Sequence, residues 1–281
     1  MTTQQDSAPE RIAVVTGGAG AIGTAITQAL RDTGHRTVVL DRAGDVACDL
    51  GSEASTRAAA ATVLRRYGRC DVFVHCAAAF DQVTIADVDA ATWRHVQAVN
   101  VESALWLLQA FIPGMAERGF GRIVFITSDT FWAPPFPALL AYVASKGALL
   151  GVMRTLAITL GADGIAVSAV APGLTDTPAS RVVNTDEQFD ATVDRQALKR
   201  RLAPDDTAAA VAYLASDGAA AMTGQVLCAD GAGPGCAVPC GSRPARTASS
   251  RANGWSARSS CSTTWPWSCW SPRPPAGWPG T

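Results

Sequence analysis

Tyr142 and Lys146, in the run AYVASKGALLG, are the two side chains whose types and spacing most strongly indicate chemistry. They are four residues apart in a segment compatible with a helix, so both would project from one helix face. An ammonium group beside a phenol stabilises the phenolate, and we therefore expect the pKa of Tyr142 to lie below its usual value of about 10. Such a tyrosine can exchange a proton with an alcohol oxygen.

A glycine-rich loop near the N-terminus indicates a dinucleotide site. Gly18, Gly20 and Gly23 in TGGAGAIG match the pattern G-x-G-x-x-G, and the loop lies between an apolar run and a helix-compatible segment. The glycines allow a tight turn, close approach of the backbone to a pyrophosphate and close packing of the helix. The N-terminus of that helix adds N–H donors and a partial positive charge.

The residues after the second apolar run bear on the choice of dinucleotide. Asp41 follows Gly23 by 18 residues. A carboxylate at that place can accept both hydroxyls of the adenosine ribose and repels a 2′-phosphate, which favours NAD over NADP. Arg42 is the competing signal, because a guanidinium binds phosphate; the alternative is a solvated side chain. Asp49 can accept from the adenine amino group, or it can cap the helix that begins at residue 53.

Apolar runs alternate with helix-compatible segments along most of the chain, which predicts an α/β fold in a single domain. The predicted strands are at 11–17, 36–41, 70–76, 121–128, 164–173 and 225–230, and the predicted helices are at 20–33, 53–67, 92–118, 138–160 and 205–216. We expect the helical stretch at 92–118 to be interrupted at Pro113. Strands that are apolar throughout indicate a doubly wound parallel sheet with helices on both faces.

Composition excludes several classes of function. The 281 residues carry a formal net charge of −1, so nothing indicates a nucleic acid or an anionic membrane as partner. No apolar run reaches the roughly 18 residues of a membrane helix, and the polar start MTTQQDSAPE lacks the layout of a signal peptide. We therefore expect a cytoplasmic protein. The cysteine spacings match no zinc pattern, and we expect no metal.

The C-terminal part of the chain differs in composition from the rest. Residues 232–281 contain five arginines, five tryptophans and no acidic residue, without helical or strand periodicity. They fit a basic-aromatic binding segment, an unstructured extension, or a stretch translated out of frame from GC-rich DNA. We predict a flexible N-terminus at 1–9, a Rossmann-type domain at 10–235 and an irregular tail at 236–281.

Over residues 10–232 the sequence resembles the short-chain dehydrogenase/reductase superfamily. The matching segments are TGGAGAIG, CDL, VHCAAA, AVNV, IVFITS, the Tyr142-x-x-x-Lys146 pair, APGLTDTP and TGQVLCADG. The resemblance implies that Tyr142 transfers the proton and that Lys146 holds the nicotinamide ribose and lowers the tyrosine pKa. It also implies that Ser128 hydrogen-bonds the substrate oxygen and that Asn100 holds a water linking the lysine to solvent.

The same resemblance implies a cofactor site, with NAD expected ahead of NADP. Its expected residues are Gly17, Gly18, Gly20, Ala21, Ile22, Gly23, Asp41, Arg42, Asp49, Leu50, Ala77, Ala78, Tyr142, Lys146, Pro172, Gly173, Leu174 and Thr177.

Three departures from the family pattern stand out. Ala21 replaces a glycine of T-G-x-x-x-G-x-G, and we expect its methyl group to crowd the pyrophosphate slightly. His75 and Cys76 begin the segment that is usually N-N-A-G, so the asparagine bonds that brace the central strands are expected to be missing. Ser128 precedes Tyr142 by 14 residues where 13 is usual, and Asp129 holds the usual position. A carboxylate repels a developing alkoxide, which favours Ser128.

The implied activity is NAD(P)-dependent interconversion of a secondary alcohol and a ketone. Phe131, Trp132 and Phe136 follow Ser128 and either line a pocket for an apolar or aromatic substrate or pack at a subunit contact. The stretch from Trp93 to Leu174 looks similar to arylethanol and pyridoxal dehydrogenases. Alternatives are a reductase of 3-oxoacyl thioesters or polyketides and, in another class, a nucleotide-binding sensor with little turnover.

The sequence also bears on mobility, assembly and the histidines. The polar segment 175–200 is expected to form a mobile lid. Apolar residues on two helices exceed what one sheet face can cover and predict a homodimer or homotetramer; they are Trp106, Leu107, Leu149, Leu150 and Met153. His35 and His95 are expected at the surface, and His75 is expected to be a packed residue rather than a catalyst.

Overall fold

The computed structural model describes residues 10–233 and contains a seven-stranded parallel sheet. The strands are β1 Ile12–Thr16, β2 Arg36–Asp41, β3 Val46–Ala47, β4 Val72–His75, β5 Gly121–Ile126, β6 Ile165–Pro172 and β7 Val226–Ala229. The helices are α1 Ala21–Asp32, α2 Glu53–Tyr67, α3 Ala90–Gln97, α4 Ser103–Glu117, α5 Leu140–Leu160, α6 Pro178–Val183, α7 Asp186–Arg195 and α8 Pro204–Ala215. The predicted segments 1–9 and 236–281 lie outside the described residues.

The strand order places a switch point next to the glycine loop. Strands follow the order β3-β2-β1-β4-β5-β6-β7, so the chain moves outward from β1 to β3 and then returns to pair β4 on the other side of β1. Neighbouring strands of this sheet pair in parallel. In a doubly wound sheet a ligand crevice opens at the carboxyl ends of the strands where the order reverses. Here that point lies between Thr16 of β1 and His75 of β4.

Apolar side chains cover both faces of the sheet, as the continuous apolar strands predicted. One core contains Phe73 and Phe125 and packs under α2, α4 and α5. The other contains Val15, Val74 and Val170 and packs under α1 and α8. Burial on both faces fixes the sheet as a rigid platform, and the segments that follow its strands carry the candidate site.

The long predicted helix at 92–118 is broken at a different place from the one expected. Pro113 lies inside α4, which continues to Glu117. The buried side chains Leu107, Leu108, Phe111 and Met115 hold this helix together across the missing backbone donor. The irregularity is instead a π-helical turn at Ala98–Glu102, between α3 and α4. Such turns are frequent at functional sites, and this one contains Asn100.

The segment predicted as a polar lid contains two helices, α6 and α7, each begun by a capping box. Its two ends are joined, because Thr175 pairs with Leu202 in an isolated bridge and Asp176 N–H donates to the Leu202 carbonyl at 2.8 Å. Arg181 and Arg201 lie over the ring of Phe189, which is 2% exposed. The segment therefore contains regular helices, and its two ends are joined to each other; its mobility stays a prediction.

Helix α5 is a core helix despite its apolar composition. With the turn that follows, Leu140–Asp163 is the single helix among the described residues that is long and apolar enough to cross a membrane. Yet its Lys146 and Ser145 are buried in the protein, and its Leu149 and Met153 belong to the core beneath the sheet. This composition is what a helix covered by a sheet on one side requires.

Candidate active site

The glycine loop after β1 has a shape that only glycine allows at three places. Gly17 has φ 69°, and a Cβ there would approach the Cα of Ala77 to 2.6 Å. A Cβ on Gly18 would lie 2.7 Å from the side chain of Val39. A Cβ on Gly23 would overlap the carbonyl oxygen of Gly17. The loop therefore packs tightly against β2, α1 and the segment after β4, and leaves its backbone open at the switch point.

The start of α1 offers free N–H groups to an anion. Gly20 is the N-cap, no side chain caps the helix, and its first turn contains no acidic residue. Uncapped N–H groups with the positive end of the helix dipole suit a pyrophosphate. Ala21 is exposed, next to the half-buried Ile22, and has room for its methyl group. The positive-φ, close-contact role in this loop falls to Gly17, and the expected crowding of a pyrophosphate by Ala21 stays a prediction.

The end of β2 places one carboxylate over the glycine loop. Asp41 Oδ2 accepts from the Ala19 N–H at 3.2 Å, and its Oδ1 accepts from the Arg42 N–H at 2.7 Å. The Arg42 side chain is exposed. Asp41 thus stands beside the loop where an adenosine ribose would lie, with the guanidinium one residue away.

Asp49 and Leu50 close the adenine side of this region. Asp49 Oδ1 accepts from the Gly51 N–H at 3.0 Å. The cap of α2 is Ser52, whose hydroxyl accepts from the Ser55 N–H. The cap interpretation of Asp49 is therefore wrong, and its second carboxylate oxygen is available to a ligand. Leu50 is 8% exposed and supplies an apolar wall.

Helix α5 brings Tyr142 and Lys146 to the carboxyl end of the sheet on one face. Lys146 is 2% exposed, and its Nζ donates to the Ile126 carbonyl at the end of β5, at 2.8 Å. Two N–H donors of this ammonium group remain for a ligand. Its Nζ lies 5.3 Å from the centre of the Tyr142 ring. Burial lowers the pKa of Lys146 to about 8.

The expected fall in the pKa of Tyr142 is wrong for this structure. Burial raises the pKa of Tyr142 to about 12, against the opposing effect of its hydrogen bond with Ser128. The reason is that the Lys146 ammonium points at the Ile126 carbonyl and lies beside the ring rather than at the hydroxyl. Without a bound ligand, therefore, Tyr142 is a neutral phenol.

Ser128 follows β5 and caps a short 3₁₀ turn at Asp129–Phe131. Its Oγ accepts from Thr130 Oγ1 at 2.9 Å and lies 3.4 Å from Asp129 Oδ1. This turn accommodates the extra residue before Tyr142 and leaves Ser128, rather than Asp129, bonded to the tyrosine. Burial, reinforced by the charge of Asp230, raises the pKa of Asp129 to about 6.

Asn100 is fully buried, and its side chain joins two parts of the site. Its Oδ1 accepts from the Ala79 N–H at 2.6 Å, and its Nδ2 donates to the Ala79 carbonyl at 3.0 Å and to Ser145 Oγ at 2.9 Å. Ser145 in turn donates to the Tyr142 carbonyl at 2.6 Å. The amide group therefore ties the segment after β4 to the helix that carries the tyrosine.

The residues expected to contact the nicotinamide follow strands β4 and β6. Ala77 is buried and Ala78 exposed after β4, and Pro172, Gly173 and Leu174 follow from the end of β6. Gly173 packs on Asp230, where a Cβ would lie 3.0 Å from the Asp230 Cα. Thr177 caps α6 with its hydroxyl, which exchanges bonds with Ser180. Its oxygen is thus already engaged in a capping box.

Aromatic side chains line the open side of the site. Phe80 meets the Tyr142 ring edge-on at 4.8 Å and is 41% exposed. Phe131 packs on Gly147 of α5 and contacts Trp132 at 5.3 Å. Sequence reasoning missed Phe80; the bridge from Val83 to Leu139, which brings its loop to the start of α5, has no local sequence signal.

Comparisons with known proteins agree with this geometry. The family model described as enoyl-(acyl carrier protein) reductase matches residues 17–232. The chain is 32% identical over 242 residues to a protein named probable galactose dehydrogenase from Rhizobium meliloti, covering 79% of this chain and 94% of that protein. It is 32% identical over 253 residues to the 4-formylbenzenesulfonate dehydrogenase of Comamonas testosteroni, covering 79% and 97%.

A solved structure gives the same result. The crystal structure described as an NAD(P)-dependent gluconate 5-dehydrogenase from Beutenbergia cavernae, with bound NADP, superposes with a TM-score of 0.73 at 30% identity. The match covers 79% of this chain and 95% of that one. The chain belongs to the short-chain dehydrogenase/reductase superfamily. The doubly wound fold predicted from the sequence is thereby confirmed.

As a member of this superfamily, the chain is an oxidoreductase, and its main departure from the common pattern is compensated. Thr16 Oγ1 lies 3.0 Å from Nδ1 of His75, and the other ring nitrogen, Nε2, lies 3.0 Å from the Asn100 carbonyl. The asparagine bonds are replaced by contacts of the imidazole, which links β1, β4 and the π-helical turn. His75 is fully buried, as predicted, and His35, at 8% exposed, is buried against the prediction.

Proposed function

We propose that this oxidoreductase interconverts a secondary alcohol and a ketone with NAD as the hydride carrier. The observation that carries the proposal is the convergence of Ser128, Tyr142 and Lys146 at the switch-point end of the sheet. The residues around the glycine loop fit a dinucleotide, since a Cβ at Gly17, Gly18 or Gly23 would meet neighbouring atoms and α1 begins without a cap. When bound, the nicotinamide ring donates or accepts the hydride.

The chain itself supplies orientation and proton transfer. Ser128 Oγ, bonded to the tyrosine hydroxyl, holds the substrate oxygen beside it. Tyr142 gives its hydroxyl proton to that oxygen during ketone reduction and recovers it during alcohol oxidation. Lys146 has two N–H donors that the Ile126 carbonyl does not use, and in this proposal they hold the nicotinamide ribose. Asn100 fixes the helix position through Ser145.

NAD rather than NADP is the proposed cofactor because of Asp41. Its carboxylate stands over the glycine loop, where it accepts ribose hydroxyls and repels a 2′-phosphate. The crystal structure described as an NAD(P)-dependent gluconate 5-dehydrogenase contains NADP, so a similar structure accepts the 2′-phosphate. The preference of this chain therefore depends on the balance between Asp41 and the neighbouring Arg42.

Asp41→Ala is expected to shift the ratio of kcat/KM values toward NADPH by about tenfold or more, because a charged hydrogen bond to ribose is lost and the repulsion of phosphate disappears. The measurement is kcat/KM with NADH and NADPH for both proteins. Asp32→Asn, which removes an exposed carboxylate at the far end of α1, serves as control and should leave the ratio unchanged. A wild-type enzyme that already prefers NADPH would contradict this role of Asp41.

An apolar or aromatic substrate is the better-supported class. Phe80, Phe131 and Trp132 are each about two-fifths exposed, at 41%, 40% and 43%, and Phe80 touches the tyrosine ring. Exposed aromatic rings beside a reacting hydroxyl form a favourable surface for an aromatic ketone or alcohol. The named substrate of the Comamonas relative, 4-formylbenzenesulfonate, contains an aromatic ring, which supports this class.

A polyhydroxylated substrate is the second candidate, and Asp129 is the observation that favours it. This carboxylate lies 3.4 Å from Ser128 Oγ and can accept from a hydroxyl next to the reacting carbon. The relative named probable galactose dehydrogenase and the gluconate 5-dehydrogenase structure carry names of polyhydroxylated substrates. An acyl thioester or polyketide substrate has no comparable contact in the described residues.

The proposed function is tested by the near-ultraviolet absorbance of NADH with two panels of compounds. One contains aryl ketones and the matching secondary alcohols, and the other contains aldoses and sugar acids. We expect turnover with the aryl panel. Turnover restricted to the second panel would favour the polyhydroxylated class. Binding of NADH without turnover on either panel would instead support the nucleotide-binding sensor.

Ser128→Ala is expected to lower kcat by about 10²-fold, because it removes the hydroxyl that positions the substrate oxygen. Asp129→Asn is expected to change kcat on the aryl substrate by less than about threefold, since it keeps the shape of the side chain. Steady-state kinetics on one aryl ketone compares them. The opposite ranking would assign the substrate oxygen to position 129.

The raised pKa of Asp129, about 6, predicts a pH dependence. Below this pKa the carboxyl group is neutral; above it a negative charge faces the developing alkoxide and opposes ketone reduction. The ratio of kcat/KM for Asp129→Asn over wild type should therefore rise as the pH increases through about 6. A ratio that stays constant over this range would remove Asp129 from the electrostatics of the reaction.

We also propose a homotetramer or homodimer in the cytoplasm; of the five residues expected at the contact, Trp106 is half-buried and the other four are buried within the chain. These four are Leu107, Leu149, Leu150 and Met153. The apolar groove between α4 and α5 is lined instead by Leu105, Ala148, Gly151, Val152, Thr155 and Leu156. An exposed apolar groove on two long helices supports burial against a second copy.

Leu156→Glu is expected to reduce the mass of the assembly, because a charge in this groove loses its hydration when two copies meet. Light scattering at micromolar concentration measures the mass of wild type and variant. Ile158→Glu, which adds the same charge at an 87% exposed position of α5, is the matched control. A wild-type monomer, or equal masses for the two variants, would contradict the groove as the interface.

A further inference from the structure

The hydrogen bonds of His75 determine which ring nitrogen carries its proton. Thr16 Oγ1 accepts from the Cys76 N–H at 3.1 Å and from the Ala77 N–H at 3.2 Å. A hydroxyl has two lone pairs and one proton, so Thr16 can meet the imidazole only as a donor. His75 Nδ1, 3.0 Å away, must therefore accept.

The other side of the ring gives the same answer independently. Nε2 of His75 lies 3.0 Å from the carbonyl oxygen of Asn100, and a carbonyl can only accept. Nε2 must therefore donate. Both contacts specify the neutral imidazole with its proton on Nε2, in a residue that is fully buried. Burial and the nearby positive charge of Lys146 lower the pKa of His75 to about 3, so the ring stays neutral at any working pH.

The two ends of this contact belong to different parts of the site. Thr16 is followed by Gly17, which packs on Ala77, so one end lies in the glycine loop. Asn100 bonds Ser145, which bonds the carbonyl of Tyr142, so the other end leads to α5. The ring thus closes a continuous chain of hydrogen bonds from the cofactor loop to the catalytic helix.

We propose that His75, as the Nε2–H tautomer, is a positioning residue that fixes the Asn100 carbonyl and couples the glycine loop to the helix carrying Tyr142 and Lys146. It donates to one of the two lone pairs of the Asn100 carbonyl. It does not exchange protons with substrate, because both of its nitrogens are bonded within the protein. The turnover part of this proposal rests on the proposed function, and the tautomer part does not.

The tautomer is tested on the wild-type protein by nitrogen-15 NMR of its three histidines, His35, His75 and His95. The His75 signals are assigned by their absence in the His75→Asn spectrum. We expect the pattern of a neutral ring protonated on Nε2, unchanged between about pH 5 and about pH 8. A ring protonated on Nδ1, or one that titrates in this range, would overturn the proposal.

The coupling is tested by two variants, one that keeps polar atoms and one that keeps the volume of the ring. His75→Asn keeps an acceptor and a donor on a smaller side chain, whereas His75→Phe keeps ring volume and removes both polar atoms. If the hydrogen bonds matter, His75→Asn should retain kcat and NADH affinity within about threefold, and His75→Phe should lose about tenfold or more of both. Fluorescence titration with NADH measures affinity without turnover, and circular dichroism shows whether each variant is folded.

The possible results separate the alternatives. Equal activity of the two variants, or better function of His75→Phe, would show that the residue only fills space and would overturn the coupling. If His75→Phe does not fold, wild type and His75→Asn are compared by their NADH affinity, kcat and KM. A loss of more than about tenfold in both kcat and NADH affinity for His75→Asn would contradict the coupling, because asparagine keeps one donor and one acceptor. Absence of turnover in the wild type would contradict the proposed function. The tautomer and the NADH affinities could still be measured.

Discussion

Tyr142→Phe is expected to lower kcat by about 10²-fold or more while leaving NADH affinity within about twofold. The change removes the hydroxyl that exchanges a proton with the substrate oxygen and keeps the ring, including its edge contact with Phe80 at 4.8 Å. Steady-state kinetics gives kcat, and fluorescence titration gives the dissociation constant of NADH. Loss of turnover with retained binding is the signature of a group that acts only in the reaction.

Tyr213→Phe is the matched control, because Tyr213 is 44% exposed on α8. It should behave as wild type in both measurements. Retention of more than about a tenth of the activity by Tyr142→Phe would mean that another group transfers the proton, since such a role contributes about 10²-fold. Ser128, which is bonded to the tyrosine hydroxyl, would then be the first candidate.

Lys146→Ala is expected to reduce both kcat and NADH affinity, each by about tenfold or more. The ammonium group has two donors that are not used by the Ile126 carbonyl, and it supplies the only buried lysine charge in the described residues. Lys199→Ala removes an exposed lysine and should change neither quantity. A Lys146→Ala protein that binds NADH as tightly as wild type would separate this lysine from the cofactor.

The depressed pKa of Lys146, about 8, gives the same experiment a pH dependence. The group is charged below this pKa and becomes neutral as the pH rises through it, so its contribution to NADH binding should fade on the alkaline side. The wild-type dissociation constant is expected to increase as the pH passes about 8, and that of Lys146→Ala is expected to stay level. Parallel curves for the two proteins would contradict the expected contact.

Local sequence patterns predicted the sheet, the glycine loop and the Tyr142–Lys146 pair, because each depends on spacing along one element. The sequence does not predict α6 and α7, since α6 has only six residues and α7 is mostly polar. Pro113 does not end the helix, because the tertiary packing of α4 outweighs the missing backbone N–H of the proline.

Residues that act through distant partners were the hardest to predict. His75 meets Thr16, 59 positions earlier, and Asn100, 25 positions later, and neither separation leaves a local pattern. The pKa of Tyr142 depends on where the Lys146 ammonium points, and spacing on a helix determines only that both side chains share a face. Phe80 contacts the tyrosine because a backbone bridge between Val83 and Leu139 holds its loop beside the start of α5.

The joined ends of the segment between Thr175 and Leu202 have a consequence for how substrate range can diverge. Because the two ends are joined to each other, changes of length or sequence between α6 and α7 need not propagate into β6. This part of the segment can therefore vary while the glycine loop, the Tyr142 helix and the hydrogen bonds from Ala197 and Leu198 to Gly231 are kept. New specificity would then arise without rebuilding the cofactor site.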